Sequence, residues 1–270
     1  MNEMTLDAGT VWMVVSAGLV LLMTPGLALF YGGMTRSKSA LNMMMMSFVS
    51  MGLVGVVWIL WVSGMTGGEG WLGLVGSPLA DPGLTTAMEE GGLIAAGFGA
   101  TFAIITVALI SGAVADRARF LTWCVFVPVW VTLVYAPLAY MVWGGGLLAE
   151  EGAIGSRLGE ALDFAGGLVV HISAGVAALV LALMMGKRKG FGVDPGHKPH
   201  NVPFTMLGAA LLWFGWFGFN AGAEGTFGLL GTEDSSVGLI IVNTLGATAA
   251  AILGWVIVEK LKDGKSTSVG

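Results

Sequence analysis

Apolar residues run along this chain in long stretches, and charged residues cut those stretches into seven. No Asp, Glu, Lys or Arg occurs in residues 8–35, 39–68, 91–115, 120–149, 164–186, 199–223 or 235–258. A bilayer core of about 30 Å requires about 20 apolar residues in helical form. All seven stretches meet that length, and a helix leaves no backbone group unpaired in lipid. Barrel strands would instead show segments of about ten residues alternating apolar and polar, a pattern this chain lacks. The pattern predicts seven membrane helices at about 11–31, 43–63, 92–114, 121–142, 165–185, 204–223 and 237–258. The first is expected to be retained rather than cleaved as a leader. Leaders open on positive charge, whereas residues 1–10 hold Glu3 and Asp7 and no Lys or Arg.

Composition supports the same class. Of 270 residues, 56% are apolar and 11% charged, against about 25% charged in an ordinary soluble domain. A water-facing surface cannot be built from that supply, which argues against seven helices buried in a soluble core. The 44 Gly sit in apolar runs with 13 Phe and 10 Trp, so the chain is neither disordered nor fibrous. A net charge of −5 argues against a nucleic-acid partner, which needs a basic patch. One cysteine, Cys124, leaves no intrachain disulfide or multi-cysteine metal site, and it reads as a small buried apolar residue.

Charge also predicts orientation. Loops after the odd-numbered helices hold Arg36, Lys38, Arg117, Arg119, Lys187, Arg188, Lys189, Lys198, Lys260, Lys262 and Lys265, and the opposite loops hold only Arg157. Lys and Arg stay on the cytoplasmic side, so the N-terminus is expected outside and the C-terminus inside. Acidic residues such as Glu69, Glu150, Glu151, Glu160, Asp163 and Glu224 gather on the outer side or at its boundary. That face either concentrates cations or simply reflects the exclusion of Lys and Arg from translocated loops. The loops are too short for a soluble catalytic domain.

Ionisable groups at membrane depth are costly and therefore functional candidates. Asp163 stands just before the fifth helix, and His171 lies eight residues on. Asp163 suits a cap on the free amides of the helix start, a role that needs no transport chemistry. His171 is the one histidine inside a predicted helix. It fits a neutral pore imidazole offering one donor and one acceptor, and equally a packed residue bonding a neighbouring helix. His197 and His200, in the basic loop at 186–203, read as solvated, without the ligands of a firm metal site.

Aromatic residues concentrate in the sixth helix, at Trp213, Phe214, Trp216, Phe217 and Phe219. Trp143, at the outer end of the fourth, is either an interfacial belt residue or a cation–π wall. Phe98 and Phe102, four apart, share a helix face. The run Met43 to Met46 fills helix packing. Glycines at Gly32-Gly33, Gly144 to Gly146 and Gly166-Gly167 suit close helix approach, and Pro25 is placed to kink the first helix.

The stretch DFAGGLVVHISAGVAALVLALMMGKR at 163–188 resembles the signature of the ammonium transporter family, the Amt, Mep and Rhesus proteins. So do ALFYGGMTRSKSALN at 28–42, TFAIITVALISGAVADRARF at 101–120, YMVWGGGLLA at 140–149, KPHNVPF at 198–204, LLWFGWFGFNAG at 211–222 and VNTLGATAAAILGW at 242–255. The resemblance runs through essentially the whole chain, in family order.

It implies an all-α polytopic fold that forms homotrimers, with a narrow apolar pore in each subunit. By similarity, Trp143 and Phe102 supply aromatic faces to an outer recruitment site. Phe102 and Phe219 form the stacked rings closing the outer mouth. Asp163 shapes the field and helix ends beneath that site, and His171 is the first of two pore histidines. Phe30 and Tyr31 lie near the inner mouth. Ala223 departs from the family, which usually places Ser after FNAG, and one acceptor is lost from recruitment.

The family has about eleven helices in two inverted halves and a last helix. Here residues 1–190 correspond to the first half and 198–270 to the start of the second, one continuous domain. The second pore histidine and the regulatory tail lie outside this correspondence. The 270 residues are expected to be the front two-thirds of a transporter, and not to conduct alone.

The implied activity is transport of ammonium or ammonia, the cation losing its proton before an apolar pore. The resemblance implies no cofactor and no enzymatic chemistry. A PII-type regulatory protein is the implied cytoplasmic partner, at the loops around 187–203. An ammonium sensor that binds without transporting is the alternative. A retinal-type protein would need a lysine within a helix, whereas Lys260 and Lys262 lie past the seventh. An intramembrane hydrolase built on His171 and Ser173 fails because residues two apart point to different sides of a helix.

Overall fold

The structure is a computed structural model and describes residues 8–89, 92–193, 198–226, 233 and 235–268. Among these, seven helices are long and apolar enough to cross a membrane. They are α1 (Ala8–Met34), α2 (Ser37–Met65), α3 (Leu93–Val114), α4 (Phe120–Trp143), α5 (Gly167–Met185), α6 (Val202–Gly225) and α7 (Val237–Asp263). Each of the seven expected spans is present. The first two run longer than hydropathy indicated, because polar residues such as Ser37 and Asn42 end an apolar stretch without ending a helix. Pro25 does not divide α1, which continues through it as one element.

Three helices contain wide π turns, at Trp58–Val62 in α2, Val131–Tyr135 in α4 and Gly167–Ile172 in α5. The connection from α2 to α3 carries a two-strand ribbon, β1 (Gly70–Trp71) antiparallel to β2 (Val75–Gly76), with Gly70 opposite Gly76. Tyr140 Oη donates to Gly68 O at 3.2 Å and fastens this connection to α4.

Two apolar clusters hold the bundle. One joins α2, α3 and α4 through Val54, Val62, Val107, Ile110, Val127 and Val131. The other joins α1, α3, α5 and α6 through Val20, Leu27, Phe102, Ile105, Val170 and Phe219. Helix α3 serves both, as does α5 through Val169, Val170 and Ala174, and α3 is the more deeply buried of the two. Met43 and Met46 are fully buried while Met45 is exposed, so the methionine run packs on one side only. Cys124 is half-buried rather than buried as expected. On α4 it falls between the buried Trp123 and the exposed Val125, at the edge of the packed face.

Helices α1 and α6 pack antiparallel over their length. At one end Trp12 Nε1 donates to Ala221 O at 3.2 Å, and at the other Asn201 N donates to Gly33 O at 3.3 Å. Glycines make the approach possible. A Cβ at Gly33 would meet Thr205 Oγ1 at 2.5 Å, and one at Gly208 would collide with the backbone nitrogen of Phe30. The α6 glycines Gly208, Gly215 and Gly222 recur every seven residues on the α1 side, the small-residue seam expected where backbones touch in a membrane.

Basic residues gather at one end of the bundle. Arg36 pairs with Asp116 at 3.0 Å, and Arg117 Nη1 donates to Gly186 O at 2.6 Å. His200 is exposed, and it is also tied down, its backbone N donating to Thr35 O at 3.3 Å. His197 lies outside the described residues, as do Glu3, Asp7, Glu90 and Asp234 of the acidic set. Glu224, counted with the acidic outer face, is instead 0% exposed. Its carboxylate accepts from Ser235 Oγ at 3.0 Å and from the backbone N of Ser236, which anchors the start of α7. Further along, α7 leaves most of its apolar side chains exposed, and Asn220 Nδ2 ties it to α6 by donating to Thr244 Oγ1 at 3.0 Å.

Candidate functional site

The free N–H groups at the start of a helix need acceptors, and at α5 a single carboxylate supplies them. Asp163 is 7% exposed. Its Oδ1 accepts from Gly166 N at 2.7 Å, and its Oδ2 from Leu168 N at 2.9 Å and Val169 N at 2.8 Å. Three amide donors on one carboxylate offset its burial in an apolar setting. The chain reverses at Gly166, whose φ of 90° favours glycine. The π turn follows at once, with His171 N donating to Gly166 O at 2.9 Å. Because residues 163–166 are not helical, the direction of His171 is set by this cap and turn, and not by a count of 100° per residue from Asp163.

The peptide carbonyl of Asp163 is also used. Trp143 Nε1 donates to it at 2.7 Å, which fixes the indole at the end of α4. The Trp143 ring meets Phe102 edge-on, centroids 6.3 Å apart, and Phe98 lies 4.8 Å from Phe102. Ala95, Phe98, Gly99, Phe102, Trp143, Phe164 and Ala223 enclose a cavity of about 220 Å³. Trp143 and Phe164 also line a wider recess of about 560 Å³ that carries Glu150, Glu151 and Glu160. Carboxylates thus stand over an aromatic cavity in which Ala223 contributes a methyl group and no hydroxyl.

Below the cavity, Phe102 stacks on Phe219 at 4.2 Å with 17° between the planes. Phe219 is 1% exposed and lies 6.0 Å from the His171 ring. Trp216, one turn before Phe219 on α6, stacks on His171 at 6.0 Å and 13°. Cavity, paired rings and imidazole therefore follow in order. His171 itself is exposed, walled on one side by Trp216 and Phe219. On the other face of Trp216 a groove of about 660 Å³ runs between α6 and α7, closed at one side by Phe164 and Ala165 of the turn before α5 and lined by Trp213, Trp216, Asn220, Asn243 and Thr244.

The structure brings Phe102, Trp143, Asp163, His171, Phe219 and Ala223 to one region. Phe30 and Tyr31 stand apart from it near the Met34 end of α1. Their rings are 5.8 Å apart, and Tyr31 Oη donates to Leu109 O at 2.9 Å.

This constellation sits in a chain that matches the model of the Ammonium Transporter Family over residues 11–270. The chain belongs to the ammonium transporter family. It is 50% identical to an ammonium transporter of Mycobacterium tuberculosis, over 98% of this chain and 59% of that protein. Its fold is similar to the crystal structure of Mep2 from Candida albicans, with a TM-score of 0.81 and 32% identity, covering 97% of this chain and 57% of that one. It is also similar to a structure described as a sensor Amt protein, with a TM-score of 0.84 and 27% identity, over 99% and 66%. The chain thus spans about three-fifths of the length of the curated relatives it matches. It is a multi-pass protein of the cell membrane.

Membership in the ammonium transporter family does not by itself assign Trp216 or Phe164, which sequence reading left without a role, nor the turn at Gly166. Trp216 was discoverable, since residues three apart share a helix face and Phe219 was already a candidate. Phe164 carries no pattern of its own, and Gly166 stands out in the sequence only as half of a Gly-Gly pair suited to close helix approach. Their positions follow from the turn that Asp163 closes.

Proposed function

We propose that this chain serves the transmembrane transport of ammonium or ammonia. The observation that carries the reading is the succession of contacts from the cavity through the Phe102–Phe219 pair to His171. An ammonium ion is small and strongly hydrated. Trp143, Phe102 and Phe98 present ring faces that replace part of its hydration, and Glu150, Glu151 and Glu160 raise its concentration at the entrance. A bare cation does not pass two stacked phenyl rings into an apolar path, because its desolvation is too costly. The cheaper passage leaves the proton behind and admits neutral ammonia. His171 then accepts or relays a proton, its ring held by Trp216. Asp163 acts through structure and field, by fixing the turn that aims His171 and the carbonyl that orients Trp143. Phe30 and Tyr31 line the inner mouth.

The same reading places the N-terminus outside and the C-terminus inside, supported by eleven basic residues on one side against Arg157 on the other. It makes α1 to α5 one half of an inverted repeat and α6 with α7 the opening of the second, supported by the antiparallel α1–α6 seam. It extends to a homotrimer and to a PII-type regulator at the loops around 187–203. Ala223 favours a second reading, an ammonium sensor that binds without transporting, since the cavity lacks a side-chain hydroxyl there.

Binding and flux measured on one preparation separate the two. The chain is joined after Gly270 to the part of the M. tuberculosis relative that it does not cover, and the fusion is placed in liposomes. Transport predicts a saturable ammonium-driven current or internal pH change. Saturable binding with no flux selects the sensor, and the absence of both rejects the site.

A further inference from the structure

One buried carboxylate takes no part in the transport described above. Glu224 stands in the last turn of α6 and is 0% exposed. Its Oε2 accepts from Ser235 Oγ at 3.0 Å, and its Oε1 from the backbone N of Ser236 at the start of α7. Both bonds use the carboxylate as acceptor, which suits the ionised form. No Lys or Arg pairs with it, the one ion pair among the described residues being that of Arg36 with Asp116. A buried charge without a counter-ion is costly, and an acid in a last turn also faces the negative end of its own helix dipole. The start of α7 meets it with the opposite sign. The two helix ends therefore offset each other, and the charge of the carboxylate remains.

That charge adjoins the aromatic cavity. Ala223, the residue before Glu224, is part of the cavity wall. A Cβ on Gly222 would stand 3.0 Å from Phe98 Cε2, so this end of α6 lies directly against the rings. Consecutive Cα atoms are about 3.8 Å apart, and the short Glu side chain keeps its carboxylate within about 10 Å of the wall. Ala223 offers an ammonium ion no hydroxyl. The carboxylate beside it offers the cation a field instead.

We propose that Glu224 sets the affinity of the cavity for its cation, acting by its charge through the cavity wall and without touching the ion. The inference rests on the transport reading above, since it needs the cavity to hold ammonium. At about 10 Å, with the effective dielectric constant of about 20 that fits protein sites, a unit charge changes a cation's affinity about tenfold. Glu150, Glu151 and Glu160 line the open recess, where salt screens them. Burial largely spares Glu224 that screening. A field attracts every monovalent cation alike. Glu224 therefore governs how much ammonium is needed, and the rings govern which cation is accepted.

The test is the half-saturating ammonium concentration of the fusion in liposomes, read from flux, or from binding where the fusion binds without transporting. Glu224→Gln keeps the shape and removes the charge. It is expected to raise that concentration about tenfold, with saturating flux and ammonium-to-potassium selectivity unchanged. Ser235→Ala removes one hydrogen bond and leaves the charge, and is expected to leave half-saturation as it was. Ser235→Lys sets a cation against the carboxylate and is expected to reproduce the Glu224→Gln shift; it decides the matter should Glu224→Gln fail to fold. Unchanged half-saturation in a folded Glu224→Gln, or in Ser235→Lys, overturns the proposal. A shift in Ser235→Ala as large as that in Glu224→Gln overturns it too, because the link to α7 would then matter and the charge would not. A parent fusion with neither flux nor binding sinks the transport reading and this inference together. A parent with flux and an indifferent Glu224→Gln sinks the inference alone.

Discussion

The phenyl rings of Phe102 on α3 and Phe219 on α6 lie face to face, 4.2 Å between centroids and 17° between planes. Two residues more than a hundred positions apart in the chain thus meet through a stack that leaves no gap for a hydrated ion. Phe219→Leu removes the stack while keeping a smaller apolar side chain, at a cost to stability below the roughly 3–5 kcal/mol of truncation to Ala. In the fusion described above, it is expected to admit potassium alongside ammonium. Unchanged selectivity in a folded variant would show that the rings only pack.

Asp163 is tied to three backbone amides, and Asp163→Ala strands all three. The expected loss is about 3 kcal/mol or more, since charged hydrogen bonds are each worth about 1.5–3 kcal/mol. Asp163→Asn keeps one amide oxygen as acceptor and is expected to lose less stability but most of the flux. Thermal unfolding in detergent, set beside ammonium flux, checks the pair. Equal Tm values for Asp163→Ala and the parent would contradict the cap.

Ala223 lines the cavity with a methyl group. Ala223→Ser adds one acceptor there, worth about 1 kcal/mol. That predicts half-saturation at about one-fifth of the ammonium concentration. A titration of ammonium-driven current reads the shift, and no shift would place the new hydroxyl outside the cation's reach.

The α1–α6 seam predicts opposite signs for two glycine substitutions. Gly208→Ala drives a Cβ into the backbone of Phe30, and the helices must part at a cost of about 1–3 kcal/mol. At Gly18, on α1, a Cβ would have nothing within 4 Å. Gly18→Ala is therefore expected to be neutral or to stabilise by about 0.5–1 kcal/mol. Unfolding temperatures of the two variants decide the matter, and a harmless Gly208→Ala would mean that the seam is looser than the structure has it.

The seven helices were legible in the sequence because lipid demands uninterrupted apolar length, and charge marks every exit. The aromatic pair at 98 and 102 was legible from helical spacing. The resemblance to the family brought Phe102, Phe219, Trp143 and His171 into one candidate site, which single-helix periodicity cannot do. What stayed hidden depends on contacts between distant segments. The burial of Glu224 follows from Ser235 and Ser236 folding back onto it. The half-burial of Cys124 depends on which face of α4 is packed. The pairing of His171 with Trp216 needs the π turn after Gly166, a local departure that no apolar count reveals.

The most direct test of the central claim is the ammonium-to-potassium selectivity of the fusion in liposomes, with His171 intact and as His171→Ala. A path that runs from the aromatic cavity past this imidazole predicts selective ammonium flux in the parent, and altered selectivity or no flux in the variant. The same selectivity and the same rate in both would contradict it and leave His171 as packing.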